Sequence, residues 1–248
     1  MTAIIIFFVL HWYLSLFSQT FFLHRYAAHG LFSMTKFWER FFYLFTWITQ
    51  GSSYLSPRAY AIMHRMHHEY SDTENDPHSP HHTDNLFTMM WKTKSIYQGY
   101  ANYVTAPEPK YEKNLPDWKA FDTFADNWMV RVTWGVLYSL FYIYFAGDAW
   151  YLYFLLPIHY LMGPVHGAIV NWCGHKYGYA NFDNHDQSKN SLPIDLLLGG
   201  ELFQNNHHKY AARLKFATQW FEFDPSYPVI RLLDAIKIIR INKLESIA

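Results

Sequence analysis

The sequence predicts an all-α, integral membrane protein whose apolar helices carry a cytoplasmic helical cap holding a histidine-rich two-metal site. Three observations predict it. Residues 3–23 contain no Asp, Glu, Lys or Arg. Two later stretches, 128–147 and 149–173, are nearly as apolar. Most of the 15 histidines of the 248-residue chain gather into short clusters at the ends of those runs or in the polar sequence between them. Composition narrows the class from the other side. Twenty Lys+Arg balance 20 Asp+Glu, which argues against an electrostatic nucleic-acid binder. A single cysteine, Cys173, rules out a disulfide framework, a Cys-built zinc site and an iron–sulfur cluster. An aromatic content of 21% is far from the signature of disorder.

Taken in order, residues 3–23 suffice as a helix for the roughly 30 Å hydrocarbon core. The run lacks the basic leader and small-residue cleavage site of a signal peptide, so it reads as a span. In residues 37–56, Glu39, Arg40, Gln50, Ser52 and Ser53 interrupt the apolar pattern, and the stretch reads as interfacial or re-entrant. Residues 57–127 and 174–248 form the water-facing cap of what is otherwise a single domain. Residues 128–147 are a second span, with Arg131 near enough to its end to snorkel. Residues 149–173 are a third, kinked at Pro157 and Pro164 and folded back on the second at Gly147-Asp148. From Pro228 to Leu244, Val229, Ile230, Leu233, Ile236 and Ile239 fall near one helical face, with Arg231, Lys237, Arg240 and Lys243 largely elsewhere. That pattern suits an amphipathic helix lying on a membrane or on the cap.

The histidines carry the functional information. HRYAAH supplies His24 and His29, HRMHH supplies His64, His67 and His68, NWCGH supplies His175, and QNNHH supplies His207 and His208. On a helix, His64, His67 and His68 stand at i, i+3 and i+4 and share a face, a spacing that Gln204, His207 and His208 repeat. Asn171 and His175 also share a face. His24 and His29, five apart, need a frayed helix end, which Gly30 offers. Neutral imidazole suits zinc, copper, nickel and iron, and eight imidazoles exceed what one metal uses. Two metals are the economical reading, and the ligand count favours an iron pair over zinc. Asp72, Glu74, Asp76, Asp186 and Glu201 lie close in sequence to these histidines. They either accept the second ring N–H and fix its tautomer or are ordinary solvated loop acids.

HRYAAH, HRMHH followed by EYSDTENDPHS, NWCGH and GELFQNNHH resemble the histidine boxes of the membrane fatty-acid desaturases, in particular the acyl-CoA, stearoyl-CoA-type Δ9 branch. The run with Asp186, Ser188 and Asn190 is also similar, and the likeness covers roughly residues 15–225. The resemblance implies two Fe ions in a non-haem centre that uses O2 and two electrons to desaturate an acyl chain. It implies His24, His29, His64, His67, His68, His175, His207 and His208 as ligands, with Asn171 acting through a water. It also implies a fatty acyl substrate, most simply acyl-CoA, and a separate electron donor, a ferredoxin or cytochrome b5 with its reductase. Two departures stand out. Gln204 occupies a position where the family has His, so one iron is expected to gain a water or bind less tightly. Only one apolar segment precedes the first box, where the stearoyl-CoA type has two.

The clusters can meet only if an even number of crossings separates them. Residues 30–63 are too few for two spans, and the later pair of spans returns the chain to its starting side. Arg58, Arg65, Lys92, Lys94, Lys110, Lys113, Lys176 and Lys209 then share that face, which the positive-inside tendency makes cytoplasmic. This leaves the N-terminus outside, in a bacterial plasma membrane. Phe8 and Trp12 are expected near the closed end of an acyl tunnel, and Arg58, Lys92 and Lys94 are candidates for CoA phosphates. His11, His159 and His166 read as neutral core histidines with satisfied partners, Met89-Met90 as packing, and Cys173 as a small buried hydrophobe. The rival functions are a hydroxylase of the same di-iron superfamily and, from another class, a membrane metal transporter or sensor.

Overall fold

The charge-free start of the chain forms α1 (Thr2–Phe17), which continues without interruption into a π-helix over Ser18–Ala28. The computed structural model describes residues 1–242. The rod passes the expected end at residue 23 because Arg25 is turned inward, where Glu201 and Asp224 receive its guanidinium. Gly30, at φ +61°, reverses the chain, and β1 (Phe32–Met34) leads into α2 (Lys36–Gln50). α2 runs antiparallel along the π-helix, with Tyr26 donating to Glu39 at 2.7 Å and Ser18 and Thr49 hydroxyls 2.7 Å apart. A single 3-10 turn, Gly51–Ser53, and the cap residue Ser56 start α3 (Pro57–Tyr70). α3 returns to the end from which α2 left, so the stretch 37–56 is one helix and the turn of a hairpin.

α4 (Leu86–Ala101), opened by an Asn85–Thr88 capping box, α5 (Pro109–Glu112) and α6 (Lys119–Ala125) build one side of the cap. α7 (Trp128–Phe145) then folds back through Gly147, at φ +57°, onto a 3-10 segment, Trp150–Leu155, and α8 (Leu156–Tyr160). Arg131 does not snorkel. It donates to the Ser52 and Tyr54 carbonyls, each at 2.7 Å, and to the Asp126 carboxylate.

The third expected span is not one kinked helix. The segments Trp150–Tyr160 and Met162–Lys176 (α9) meet at 76°. Pro164 explains the break. It has no N–H for the Tyr160 carbonyl, and its ring would clash there in a continuous helix. The freed carbonyl accepts from Ser52 Oγ at 3.0 Å, while Gly163 N donates to Ser53 Oγ at 3.0 Å. The turn that ends α2 therefore closes the break in the later helix. Among the described residues, Thr2–Ala28 is the single helix long and apolar enough to cross a membrane, with the bent pair as a second if it counts as one span.

α10 (Gln204–Lys209) and α11 (Ser226–Ala235) follow a long irregular stretch. The tail is not one amphipathic helix. It stops at Ala235, and β2 (Ile239–Ile241) pairs antiparallel with β1, Phe32 opposite Ile241. Ile238, Ile239 and Ile241 are β-branched and suit a strand, and Ile239 is buried while Val229 and Ile236 face outward. The remainder of that expected helix, Lys243 and Leu244, lies outside the described residues. Among the described residues the fold is thus helical with one two-stranded sheet, which ties the tail to the turn after the π-helix.

Candidate metal centre

Four segments converge at one end of the α1 rod. The first box shows why the frayed end is unnecessary: π-helical closure is i→i+5, His29 N bonds His24 O at 3.1 Å, and residues five apart come to lie over one another. The rings of His24 and His29 stand 4.9 Å apart. α3 supplies His64, His67 and His68, the end of α9 supplies His175, and α10 supplies His207 and His208.

The eight histidines sort into two sets. His24, His29, His64, His68 and His207 bring one ring nitrogen each to within 4.8 Å of one another, and His67, His175 and His208 form a second such set. In the first, Nε2–Nε2 separations are 2.8 Å for His29–His64, 2.9 Å for His68–His207 and 3.0 Å for His24–His207. In the second, His67 and His208 are 3.2 Å apart at Nε2. The two sets are adjacent, since His64, His67 and His68 share one face of α3.

Carboxylates hold the opposite ring nitrogens. Nδ1 of His24 meets Glu201 at 2.5 Å, His67 meets Asp76 at 2.9 Å, His175 meets Asp72 at 2.8 Å, and His208 meets Asp186 at 2.5 Å. Each partner fixes the ring and leaves Nε2 free to ligate. Glu74 is exposed and takes no such part; its carbonyl accepts from Lys92.

Electrostatics keep most of these rings neutral, with lone pairs available to a metal. Burial, reinforced by mutual repulsion, holds His29, His64, His68 and His207 well below the ordinary imidazole pKa. Burial also lowers His208, to about 4, against the pull of Asp186. For Asp76, burial works upward, but the facing His67 ring wins and keeps the carboxyl below its usual range. His67 is correspondingly raised despite its burial. His175 Nε2 is buried without a hydrogen-bond partner. Converging neutral lone pairs, an orphaned ring nitrogen and an all-imidazole donor set fit two first-row transition-metal ions.

Two residues of the site, His78 and Arg25, were not foreseen. His78 is buried against His67, with ring centroids 4.3 Å apart, and groups with His67 and Asp76. The signal was its place in the DPHS run beside the second box. Arg25, inside the first box, bridges Glu201 and Asp224 and stacks on Phe216 at 3.7 Å. No spacing rule points to it. Gln204 is buried, and its amide donates to the Glu201 carbonyl at 2.7 Å. A Cβ on Gly174 would come within 2.5 Å of Gln204 Cγ, so glycine lets the last box pack on α9. Asn171 lies one turn before His175 on α9 and is half-buried.

The remaining expected sites lie elsewhere. Phe8 and Trp12 sit in the apolar bundle, Trp12 edge-on to His166 and donating to the Leu197 carbonyl at 3.0 Å. His11 and His159 are 2.6 Å apart at Nδ1 and His159 Nε2 meets Tyr142 Oη at 2.9 Å, but His11 Nε2 and both ring nitrogens of buried His166 lack partners, so only His159 has the satisfied character expected of core histidines. Arg58 is buried on Glu112 and the Tyr100 carbonyl, and Lys92 is tied to the Glu74 and Asp76 carbonyls. Lys94 lies over the Trp91 ring at 4.8 Å. Met89 is buried, and Cys173 packs beside Leu16, Leu198 and Leu202.

A helical rod and cap gather eight imidazoles into two adjacent, carboxylate-supported sets, a histidine-built candidate metal centre. The chain belongs to the fatty acid desaturase family, whose profile matches residues 2–231. It is 27% identical over 230 residues to an sn-1 stearoyl-lipid 9-desaturase of Synechocystis sp., covering 89% of this chain and 65% of that protein. It is 29% identical to a Delta-9 desaturase-like 5 protein of Arabidopsis thaliana, over 92% of this chain and 73% of the relative. A hex-5-enoyl-[acyl-carrier protein] acetylenase of Moorena producens is 24% identical over 95% and 75%. The chain thus spans just under two thirds of the length of the first of these relatives.

Proposed function

We propose that the protein is an O2-dependent fatty acyl desaturase that introduces a cis double bond, with two Fe ions held by the five-histidine and three-histidine sets. The observation that carries this reading is the convergence of two all-imidazole sets at the end of an apolar rod, in a member of a desaturase family. When bound, the iron pair supplies the oxidising power that an unactivated methylene demands. The balance is one CH2–CH2 unit, O2, two electrons and two protons giving CH=CH and two waters. The chain's own part is positional. Glu201, Asp76, Asp72 and Asp186 fix the ring tautomers, and burial excludes water from the site.

The substrate proposed is an acyl-CoA desaturated at Δ9, although named relatives include acyl-lipid 9-desaturases, acyl-CoA 5-desaturases and the acyl-carrier-protein acetylenase. Phe8 and Trp12 are proposed to close the acyl path, so Trp12→Ala should lengthen the accepted chain. An unchanged product profile would remove that role. Electrons come from a separate ferredoxin or cytochrome b5 type donor. The Thr2–Ala28 rod is proposed to span a bacterial plasma membrane, with the cap on the cytoplasmic side.

Fatty-acid methyl-ester profiling by gas chromatography–mass spectrometry tests the reading, in a host lacking its own desaturase and supplied with a donor. A new cis-monoene, lost in His67→Ala, is expected and would report bond position. A new alcohol with no alkene would replace desaturation by hydroxylation.

A further inference from the structure

We propose that the edge of the cap formed by residues 192–197 and 220–223 is immersed in the bilayer as a lipid-facing apron beside the α1 rod. This rests on the membrane reading of that rod. The sequence places these segments in the water-facing cap, because no apolar run there is long. Their side chains are nevertheless sorted the opposite way from a soluble loop. Ile194, Leu196, Leu197, Phe221 and Phe223 point outward, and Trp220 is 94% exposed. The acids interleaved with them point inward.

Asp195 is fully buried and accepts from the backbone N–H groups of Leu198, Gly200 and Leu202 at 2.8 to 3.0 Å. Glu222 is buried and accepts from Tyr179, Asn181, Asn206 and the N–H groups of Thr218 and Gln219. Asp224 is buried on Arg25. From residue 187 to residue 233 the acidic side chains are Asp195, Glu201, Glu222 and Asp224, and all four are buried. Lys209, Lys215 and Arg231 are exposed in that same range.

In water this arrangement gains nothing, since it exposes large apolar groups and hides charges that water would solvate. In lipid both features are required: outward side chains must be apolar, and backbone groups must be satisfied within the protein. The two segments also bond each other, Phe223 N donating to the Pro193 carbonyl at 3.1 Å. Depth comes from α1. Trp12 Nε1 donates to the Leu197 carbonyl at 3.0 Å, and Leu16 packs against Leu198. Residues 12 and 16 lie toward the middle of the 27-residue rod, so the apron continues the outward face that Ile5, Val9 and Leu10 begin. The exposed cations suit an anionic headgroup layer at its rim. The occupant is therefore a lipid surface.

The test uses the full chain with Cys173→Ala and single cysteines at Leu197, Phe221, Val9 or Asp183, labelled with an environment-sensitive fluorophore. The protein is reconstituted in phosphatidylcholine–phosphatidylglycerol vesicles. Labels at positions 197 and 221 are expected to behave like the label at 9, quenched severalfold by doxyl lipid and shielded from iodide, while the label at 183 responds to iodide. Iodide quenching at 197 and 221 with lipid quenching at 9 would overturn the apron and leave the membrane reading intact. Iodide quenching at 9 as well would overturn both.

Discussion

Asp72 accepts the Nδ1–H of His175 at 2.8 Å, across 103 residues of sequence. Asp72 adopts a left-handed backbone, φ +59°, that non-glycine residues enter at a cost. From there its carboxylate also receives the Gln187 N–H at 2.8 Å and the Ser79 hydroxyl at 3.0 Å. The loop after the second box is thereby fixed to the end of α9, and His175 Nε2 is turned toward His67 and His208.

Asp72→Asn should weaken metal binding in the three-histidine set by about 10–100-fold, because a carboxamide can leave His175 in the wrong tautomer. Metal analysis after equilibration with a graded chelator should show one of two metals lost early. Loss of both together, or of neither, would contradict this.

Arg25→Met should leave Glu201 and Asp224 facing each other, buried and uncompensated. A cost of about 3–5 kcal/mol is expected for breaking such a buried network, read as a large fall in thermal midpoint in detergent. A midpoint near wild type would show that the bridge contributes little.

Gly51→Ala should destabilise the fold by about 1–3 kcal/mol. Its backbone sits at φ +51°, and an added Cβ would fall 1.7 Å from Tyr138 Oη. Adding Tyr138→Phe should recover part of the loss. A neutral Gly51→Ala would mean that the junction of α2 and α7 is looser than it stands here.

The metal-free protein should lose stability on mild acidification. His29, His64, His68 and His207 are depressed in the folded state, so below the unfolded imidazole pKa of about 6.5 the unfolded chain binds more protons and stability falls with pH. The raised His67 acts in the opposite sense, but it stands against these four and the lowered His208. Thermal midpoints should be level from pH 8 to 7 and decline toward pH 5.5. A rise over that range would refute the assignment.

Much of the site was legible because spacing on α3 and α10 is read directly from helical periodicity: His64, His67 and His68, and the His207-His208 pair, needed only the i, i+3, i+4 rule. The His24–His29 geometry was misread because a π-helix has no periodic signature in an apolar run. Pro164 announced a disturbance in the helix, but whether a proline bends or breaks it depends on what takes the freed carbonyl, here Ser52 from a distant turn. The tail was misread because Ile239 fits a helical face with Ile236 and a strand face with Ile241 equally well until β1 supplies a partner. The inward acids Asp195 and Glu222 were invisible because composition does not show which way a loop side chain points.

Metal content of anaerobically purified protein, with its Mössbauer spectrum, tests the central claim most directly. Two irons per chain are expected for wild type, with one remaining in His64→Ala and one, spectroscopically different, in His175→Ala. A single metal in wild type, or both variants losing the same one, would contradict a pair of adjacent histidine-built sites.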